Sequence, residues 1–160
     1  MSLLQNYPLW ASLAGITLAQ AIKIPLHFFT HRTWKWGLLF STGGMPSSHS
    51  AAVTALATAV GMTEGFGSTY FAIATIFAVI IMFDAAGVRR HAGEHAALLN
   101  ILLDDFHLIK EELKLFRTGA QQEKREKLKE LLGHKPIEVL IGGALGILIA
   151  LGIGYIVEFN

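Results

Sequence analysis

Long apolar stretches separated by short polar ones dominate the chain. Three of them, residues 8–30, 69–88 and 136–157, come close to the ~20 residues that a helix needs to cross a bilayer core. A fourth, 50–63, is shorter and rich in alanine and threonine. Such small side chains let helices approach closely, which suits a short span packed inside a bundle. The pattern predicts an all-α integral membrane bundle with about four transmembrane helices.

A different pattern fills the long segment between the third and fourth of these stretches. Residues 92–116 place apolar side chains at helical spacing with acids and bases on the other face. Residues 121–132 are mostly charged helix formers, and 117–119 (Arg-Thr-Gly) separate the two. We expect cytoplasmic amphipathic helices, the first lying against the membrane or the bundle. The chain is therefore predicted to be one membrane-embedded domain, 1–160, with 91–132 as a cytoplasmic or interfacial insertion.

Composition supports a membrane protein and excludes several other classes. Hydrophobic residues make up 52% of the chain and charged residues 16%, against about a quarter in soluble domains. This balance argues against a disordered chain, a nucleic-acid-binding protein and an ordinary soluble enzyme. The absence of cysteine excludes disulfides, thiolate nucleophiles and cysteine-bound zinc.

The net charge of +1 conceals a one-sided distribution of the 13 basic residues. With four spans, two of them fall in 31–49, ten in 89–135, and Lys23 lies toward the same end of the first span. The positive-inside rule then places the two long loops in the cytoplasm and both termini outside. The alternative is a soluble bundle of four apolar helices in which the asymmetry arose by chance.

Ionisable residues collect near the cytoplasmic ends of the predicted spans. Charged groups at membrane depth are costly and are functional candidates by default. The group consists of Lys23, His49, Asp84, Arg89, Arg90, His134 and Glu138. Cations at one depth beside a helix N-terminus favour an anion site. Asp84 has two interpretations, a partner for a cation in that site or a packing ion pair.

The segment 43–50, Gly-Gly-Met-Pro-Ser-Ser-His-Ser, has the features of a helix start that binds phosphate. Its glycines permit unusual backbone angles, and Ser47 or Ser48 is a good N-cap. The free N–H groups of the first turn would suit a phosphate, with His49 as general acid. The alternative is a capped helix start with an incidental histidine.

The segment 132–146 contains a second candidate pair. His134 and Glu138 are four residues apart, and Pro136 suits the first helical turn. Glu138 could hold the far ring nitrogen of His134 and raise its nucleophilicity. The alternative is a loop histidine and a glutamate that favours a helix N-terminus.

Together these segments resemble the superfamily of type 2 phosphatidic acid phosphatases and vanadium haloperoxidases, in particular its divergent bacterial and plant branch of small membrane proteins. Residues 46–49 match the family motif Pro-Ser-Gly-His with Ser48 for glycine. Residues 134–140 match the second half of its third motif with Glu138 for aspartate. Gly142, Gly143 and Gly146 continue the glycine-rich helix that follows.

Two family positions depart from the pattern. The arginine expected six positions before His134 is Leu128, and Arg89 or Arg90 is expected to supply it. Lys23 keeps the lysine of the first motif but lacks an Arg-Pro pair at the family's spacing. These departures leave open whether this branch is catalytic.

The resemblance implies a mechanism without metal or other cofactor. His134 attacks phosphorus and forms a phosphohistidine, Glu138 orients it, and His49 protonates the leaving alkoxide. The oxygens are held by Lys23, by Arg89 or Arg90, and by N–H groups around Ser47 and Ser48, with Asp84 in a supporting position. The implied substrate is a lipid or isoprenoid phosphate, such as phosphatidate or phosphatidylglycerol phosphate, at the cytoplasmic headgroup layer of the bacterial cell membrane.

Membrane lipids and a second copy of the chain are the expected partners, because a dimer would bury more of the short 50–63 helix. Two other functions fit the same residues: a non-catalytic protein that retains the scaffold, and an anion transporter. His95 is a competing nucleophile six residues after Arg89, but Leu99 rather than an acid follows it at the required spacing. The spacing of His91 from His95 would also suit two metal ligands on one helical face.

Overall fold

The computed structural model describes residues 5–34, 36–40, 43–114 and 133–158. These ranges contain helices and connecting turns but no strand, which confirms the all-α prediction. The helices are α1 (Tyr7–His31), α2 (Ser48–Glu64), α3 (Thr69–Ala86), α4 (Val88–Lys114) and α5 (Pro136–Glu158), with a 3₁₀ turn at Trp36–Phe40. The helix predicted at 121–132 lies outside the described residues.

The helix ends follow from capping residues in the sequence. The Asn6 side chain accepts a hydrogen bond from Leu9 N at 3.1 Å, and Ser68 Oγ accepts one from Phe71 N at the same distance. Both satisfy N–H groups that the first turn of a helix leaves without an internal partner. Gly87 separates α3 from α4 with a non-helical backbone.

Helix α2 occupies the centre of the bundle and packs against α1, α3 and α5. The small side chains predicted to favour close packing are those that are buried. They are Ser48, Ser50, Ala51, Ala52, Val53, Ala55, Ala57, Ala59 and Gly61. Since the chain buries α2 by itself, the need to cover this helix is no longer a reason to expect a dimer.

Three stretches are long and apolar enough to cross a membrane: Tyr7–Thr30, Thr69–Lys110 and Pro136–Val157. The second joins α3 to most of α4. Helix α2 has only 17 residues and is less hydrophobic than α3 or α5. That α2 also crosses the membrane, which would give four transmembrane helices, stays a prediction.

The two ends of the bundle differ in chemistry. At one end the Tyr7 hydroxyl donates to the Ala150 carbonyl at 2.6 Å and also contacts Met62. At the other end the loop before α2, the α3–α4 junction and the start of α5 meet, because His134 N donates to Ala85 O and Ser47 N donates to Glu138 O. The second end, called here the site end, carries the predicted functional residues.

Candidate active site

His134 is held in one orientation by the first turn of α5. Its Nδ1 lies 3.1 Å from Glu138 Oε2, and its side chain is 1% exposed. Because a carboxylate can only accept, the proton of the neutral ring lies on Nδ1 and the lone pair lies on Nε2. Lys135 N also donates to Glu138 Oε2, at 3.2 Å, which fixes the carboxylate. The predicted pairing of histidine and glutamate is therefore present in the structure.

The backbone around His134 packs against the α3–α4 junction. His134 N donates to Ala85 O at 3.0 Å. Gly133 has φ +93°, and a Cβ at this position would collide with the backbone of Arg89 and Arg90. Glycine is required here both for the left-handed conformation and for the close approach. The position of His134 thus depends on the segment that carries Arg89.

The start of α2 is joined to the same turn of α5. Ser47 Oγ caps the helix by accepting from Ser50 N at 3.3 Å, and the Ser50 hydroxyl donates to Ser47 Oγ at 3.0 Å. Ser47 N donates to Glu138 O at 3.0 Å. A Cβ at Gly142 would collide with the Ser47 carbonyl oxygen, so only glycine permits this approach. Of the two candidate N-caps, Ser47 is the one the structure uses.

The loop that leads into α2 contains the unusual backbone that the sequence predicted. Gly44 has φ +88°, and the Met45–Pro46 peptide bond is cis. Since the cap and the α5 contact occupy Ser50 N and Ser47 N, the first-turn N–H groups left for a ligand are those of Ser48 and His49. Ser48 itself is 5% exposed.

His49 and His134 face each other across the junction of α2 and α5. Their ring centroids are 6.2 Å apart and their planes are inclined by 62°. His49 Nδ1 and His134 Nε2 are both buried, and neither has a hydrogen-bond partner among the described residues. Buried polar atoms without partners are uncommon and point to a ligand or a catalytic role. The lone pair on His134 Nε2 is therefore available for nucleophilic attack.

Two cations lie beside the histidine pair. Lys23 is 2% exposed and its Nζ donates to Gly43 O at 3.0 Å. Its positive charge adds to burial in lowering the pKa of His49 and of His134. After burial, the positive charge of Arg89 contributes most to the lowered pKa of His49. Arg89 Nε donates to Asp84 Oδ2 at 2.6 Å. Asp84 thus pairs with Arg89, a contact that fits both of its interpretations.

Arg89 and Arg90 are adjacent in the chain but have different partners in the structure. Arg90 Nε lies 2.9 Å from Glu94 Oε1 on the exposed surface of α4, whereas Arg89 is the arginine whose charge acts on His49. Arg89 is therefore the better candidate for the arginine that Leu128 does not supply. His95 is exposed on α4, so the geometry favours His134 as the nucleophile.

Burial controls the protonation of His134. Removal of the ring from water lowers its pKa below the ordinary value of 6.5, and the charge of Lys23 adds to this effect. The hydrogen bond to Glu138 opposes both by favouring the protonated ring. A lowered pKa keeps the ring neutral, and thus nucleophilic, at physiological pH.

A cavity with a volume of about 930 Å³ lies at the end of the bundle opposite the site end. It is lined by Tyr7, Val60, Tyr70 and Val157, among others, and by none of the predicted site residues. A ligand at the site end would be held by the side chains that surround the histidine pair.

Residues 4–149 match the divergent PAP2 family. The chain belongs to that family. It is also 57% identical over 155 residues to the uncharacterized membrane protein YuiD of Bacillus subtilis (strain 168), a match that covers 97% of this chain and 98% of YuiD. No solved structure matches the chain significantly. Membership of the divergent PAP2 family, with three apolar helices, makes this an all-α membrane protein.

Sequence reasoning missed the residues that join the site together. The carbonyls of Gly43, Ala85 and Glu138 accept hydrogen bonds from Lys23, His134 and Ser47 respectively. Any residue type has a backbone carbonyl, so no sequence signal identifies these three. Gly133 could have been identified from the sequence, since a glycine directly before a candidate catalytic histidine indicates a backbone conformation that other residues rarely adopt.

Proposed function

We propose that this member of the divergent PAP2 family is a membrane phosphatase that hydrolyses a lipid or isoprenoid phosphate through a phosphohistidine. The observation that carries the proposal is the pair of facing histidines at the site end, of which His134 is buried and hydrogen-bonded to Glu138, and each of which has a buried ring nitrogen without a partner among the described residues. A protein that kept only the scaffold would have no need to preserve these costly buried groups. Ser48, which replaces the glycine of the family's Pro-Ser-Gly-His motif, lies in the regular first turn of α2.

Each side chain then has a role. His134 Nε2 attacks phosphorus, a P–N bond forms and the P–O bond to the alcohol breaks. The negative charge of the bound phosphate favours protonated His49, which gives its proton to the departing alkoxide. Water then attacks phosphorus and gives a proton to His49. The new P–O bond forms as the P–N bond breaks, which releases inorganic phosphate and regenerates His134. Lys23 and Arg89 neutralise the charge on the phosphoryl oxygens, and the Ser48 and His49 amides supply further donors.

The position of the site suggests where the substrate lies. Trp34 and Trp36, exposed and stacked on each other, flank the site end, while Tyr70 and Tyr155 are exposed at the opposite end. Aromatic side chains of this kind favour the two interfaces of a bilayer. The histidine pair would then lie at headgroup depth, and the basic residues of the same end favour the cytoplasmic leaflet, with both termini outside.

The test is phosphate release from a panel of lipid phosphates by the purified protein in a bilayer. Phosphatidate, phosphatidylglycerol phosphate and prenyl phosphates are compared with wild type, His134→Ala and His95→Ala. We expect hydrolysis by wild type and His95→Ala, and a loss of at least about 10³-fold for His134→Ala, because covalent catalysis requires this nitrogen. Unchanged activity of His134→Ala, or no hydrolysis of any member of the panel, would contradict the proposal.

A trapped reaction sharpens the same test. An acid-labile phosphate on His134 that disappears in His134→Ala identifies the intermediate. Its absence during steady hydrolysis would replace the covalent mechanism by direct attack of water.

A further inference from the structure

Helix α4 carries a regularly spaced face of side chains that is exposed in the described chain. Its members follow one another at alternating intervals of four and three residues: Val88, Ala92, His95, Leu99, Leu102, Phe106 and Ile109. The five large apolar members are between 49% and 65% exposed. We call these seven residues the heptad face. Gly93 and Asn100, on another face of α4, are buried, so the heptad face is separate from the side that packs within the chain.

This spacing indicates the kind of partner. Apolar residues at alternating intervals of three and four recur every 3.5 residues, which is the pattern of a helix that winds around another helix. In heptad notation Leu99 and Phe106 are at position a, and Leu102 and Ile109 are at position d. Position a and d side chains insert between four residues of a facing helix. The heptad face therefore fits a second helix better than it fits an irregular surface.

The residues that border the heptad face indicate which helix and which direction. Asp105 is at position g and Lys110, five residues later, is at position e. In a parallel pair, position g of one helix lies beside position e of the next heptad on the other helix. Two copies of α4 side by side would thus form two Asp105–Lys110 ion pairs. In an antiparallel pair position g faces position g, and this charge match is lost.

We propose that α4 of one copy pairs with α4 of a second copy as a parallel coiled coil. Residues 88–110 contain three basic and three acidic residues, without the excess of lysine and arginine typical of a helix that lies on a membrane surface. Two copies in one membrane are related by an axis along its normal, and such an axis brings equivalent helices together in parallel. Since Arg89 lies in the first turn of α4, the dimer contact continues directly from the site end.

Cross-linking tests the contact, and the absence of cysteine from the chain makes single reporters possible. Leu102→Cys places a thiol on the heptad face, and Asp104→Cys, at position f, places one on the side of α4 away from it. In the full-length protein in bilayers, we expect oxidation to give a disulfide dimer at least about tenfold faster for Leu102→Cys. Equal rates, or a monomer with a nitroxide at position 102 in contact with lipid, would overturn the proposal.

A charge exchange tests the direction. Asp105→Lys and Lys110→Asp each replace two attractive pairs by two repulsive ones, so each should weaken dimerisation by about five- to thirtyfold. The double variant restores both pairs and should return the dissociation constant to within about threefold of wild type. Energy transfer between labelled copies on dilution in lipid measures these constants. A double variant as weak as the single ones would exclude the parallel arrangement.

Discussion

Helix α2 has only 17 residues, and α4 is less hydrophobic than α3, yet the two helices occupy opposite positions in the molecule. The buried residues of α2 are small, chiefly alanine and serine, and three other helices surround it. The large residues of α4, among them Leu102 and Phe106, remain exposed. The comparison shows that side-chain volume, rather than apolar content, determines which helix can enter the centre of this bundle, because close approach of backbones requires small residues.

The start of α5, which packs on α2, and helix α4 present the same chemical pair in opposite environments. Where the loop before α2 meets α5, Glu138 binds His134 at 3.1 Å with the imidazole 1% exposed. On α4, Glu94 binds His91 at 3.2 Å with the imidazole 68% exposed. An exposed pair contributes little to stability, whereas burial strengthens the hydrogen bond that fixes the His134 ring. Burial therefore distinguishes a candidate catalytic pair from a surface contact that has the same residues.

The largest effect is expected where α2 and α5 touch. Gly146→Leu would place side-chain atoms against the Ala51 carbonyl and the Thr54 hydroxyl, where even a Cβ collides. Backbone rather than a flexible side chain is the obstacle, so the helices must separate. We expect loss of the folded protein, measured as aggregation or protease sensitivity in mild detergent.

Gly152→Leu is the matched control for this prediction. It lies on the same helix, and a Cβ there meets no atom within 4 Å. The variant should fold like wild type. If Gly146→Leu also folded normally, the close contact of α2 with α5 would be wrong.

The next effect concerns the two histidine–glutamate pairs. Glu138→Gln should lower phosphatase activity on the order of 100-fold, because the amide oxygen can still accept from His134 Nδ1 but the negative charge that raises the nucleophilicity of the ring is lost. Wild-type activity should fall on the acid side only below the ordinary histidine pKa of 6.5, since burial lowers the pKa of His134. Glu138 favours the protonated ring, so its replacement lowers this pKa further and should move the acid limb to lower pH.

Glu94→Gln provides the exposed counterpart and should change neither the rate nor the pH profile. A pH–rate series with the substrate identified in the panel measures both variants. If Glu138→Gln moved the acid limb to higher pH, the assignment of this limb to His134 would fail.

A smaller effect should follow from one interhelical hydrogen bond of α2. Thr54 Oγ1 donates to Gly143 O on α5 at 2.9 Å, as well as to Ser50 O on its own helix. Thr54→Val keeps the shape and removes the donor, which should lower the free energy of unfolding by about 1 kcal/mol. Thr63→Val is the control, because that hydroxyl bonds only within α2. Equal midpoints for both variants in detergent unfolding would mean that the contact to Gly143 contributes nothing.

Both the packing of α2 and the His134–Glu138 hydrogen bond could be predicted from the sequence. The small residues of 50–63 indicated a packed helix, and the spacing of His134 and Glu138 indicated their hydrogen bond, since both depend on local pattern. The choice between Arg89 and Arg90 could not be predicted, because adjacent helical residues point in directions about 100° apart and tertiary contacts decide which faces the site. The contact of Ser47 with Glu138 depends on a backbone carbonyl and leaves no trace in residue types.

The smallest effect is expected on α4 outside the heptad face. Ile101 is 57% exposed and lies at heptad position c, on neither the heptad face nor its borders. Ile101→Gln removes little apolar area that the fold buries. The free energy of unfolding should therefore change by less than about 0.5 kcal/mol. Ala55→Gln is its counterpart on α2, where the native side chain is 0% exposed and a larger polar one has no room; it should destabilise far more. A loss for Ile101→Gln as large as that for Thr54→Val would mean that this side of α4 is covered, and the contrast between the two helices would be wrong.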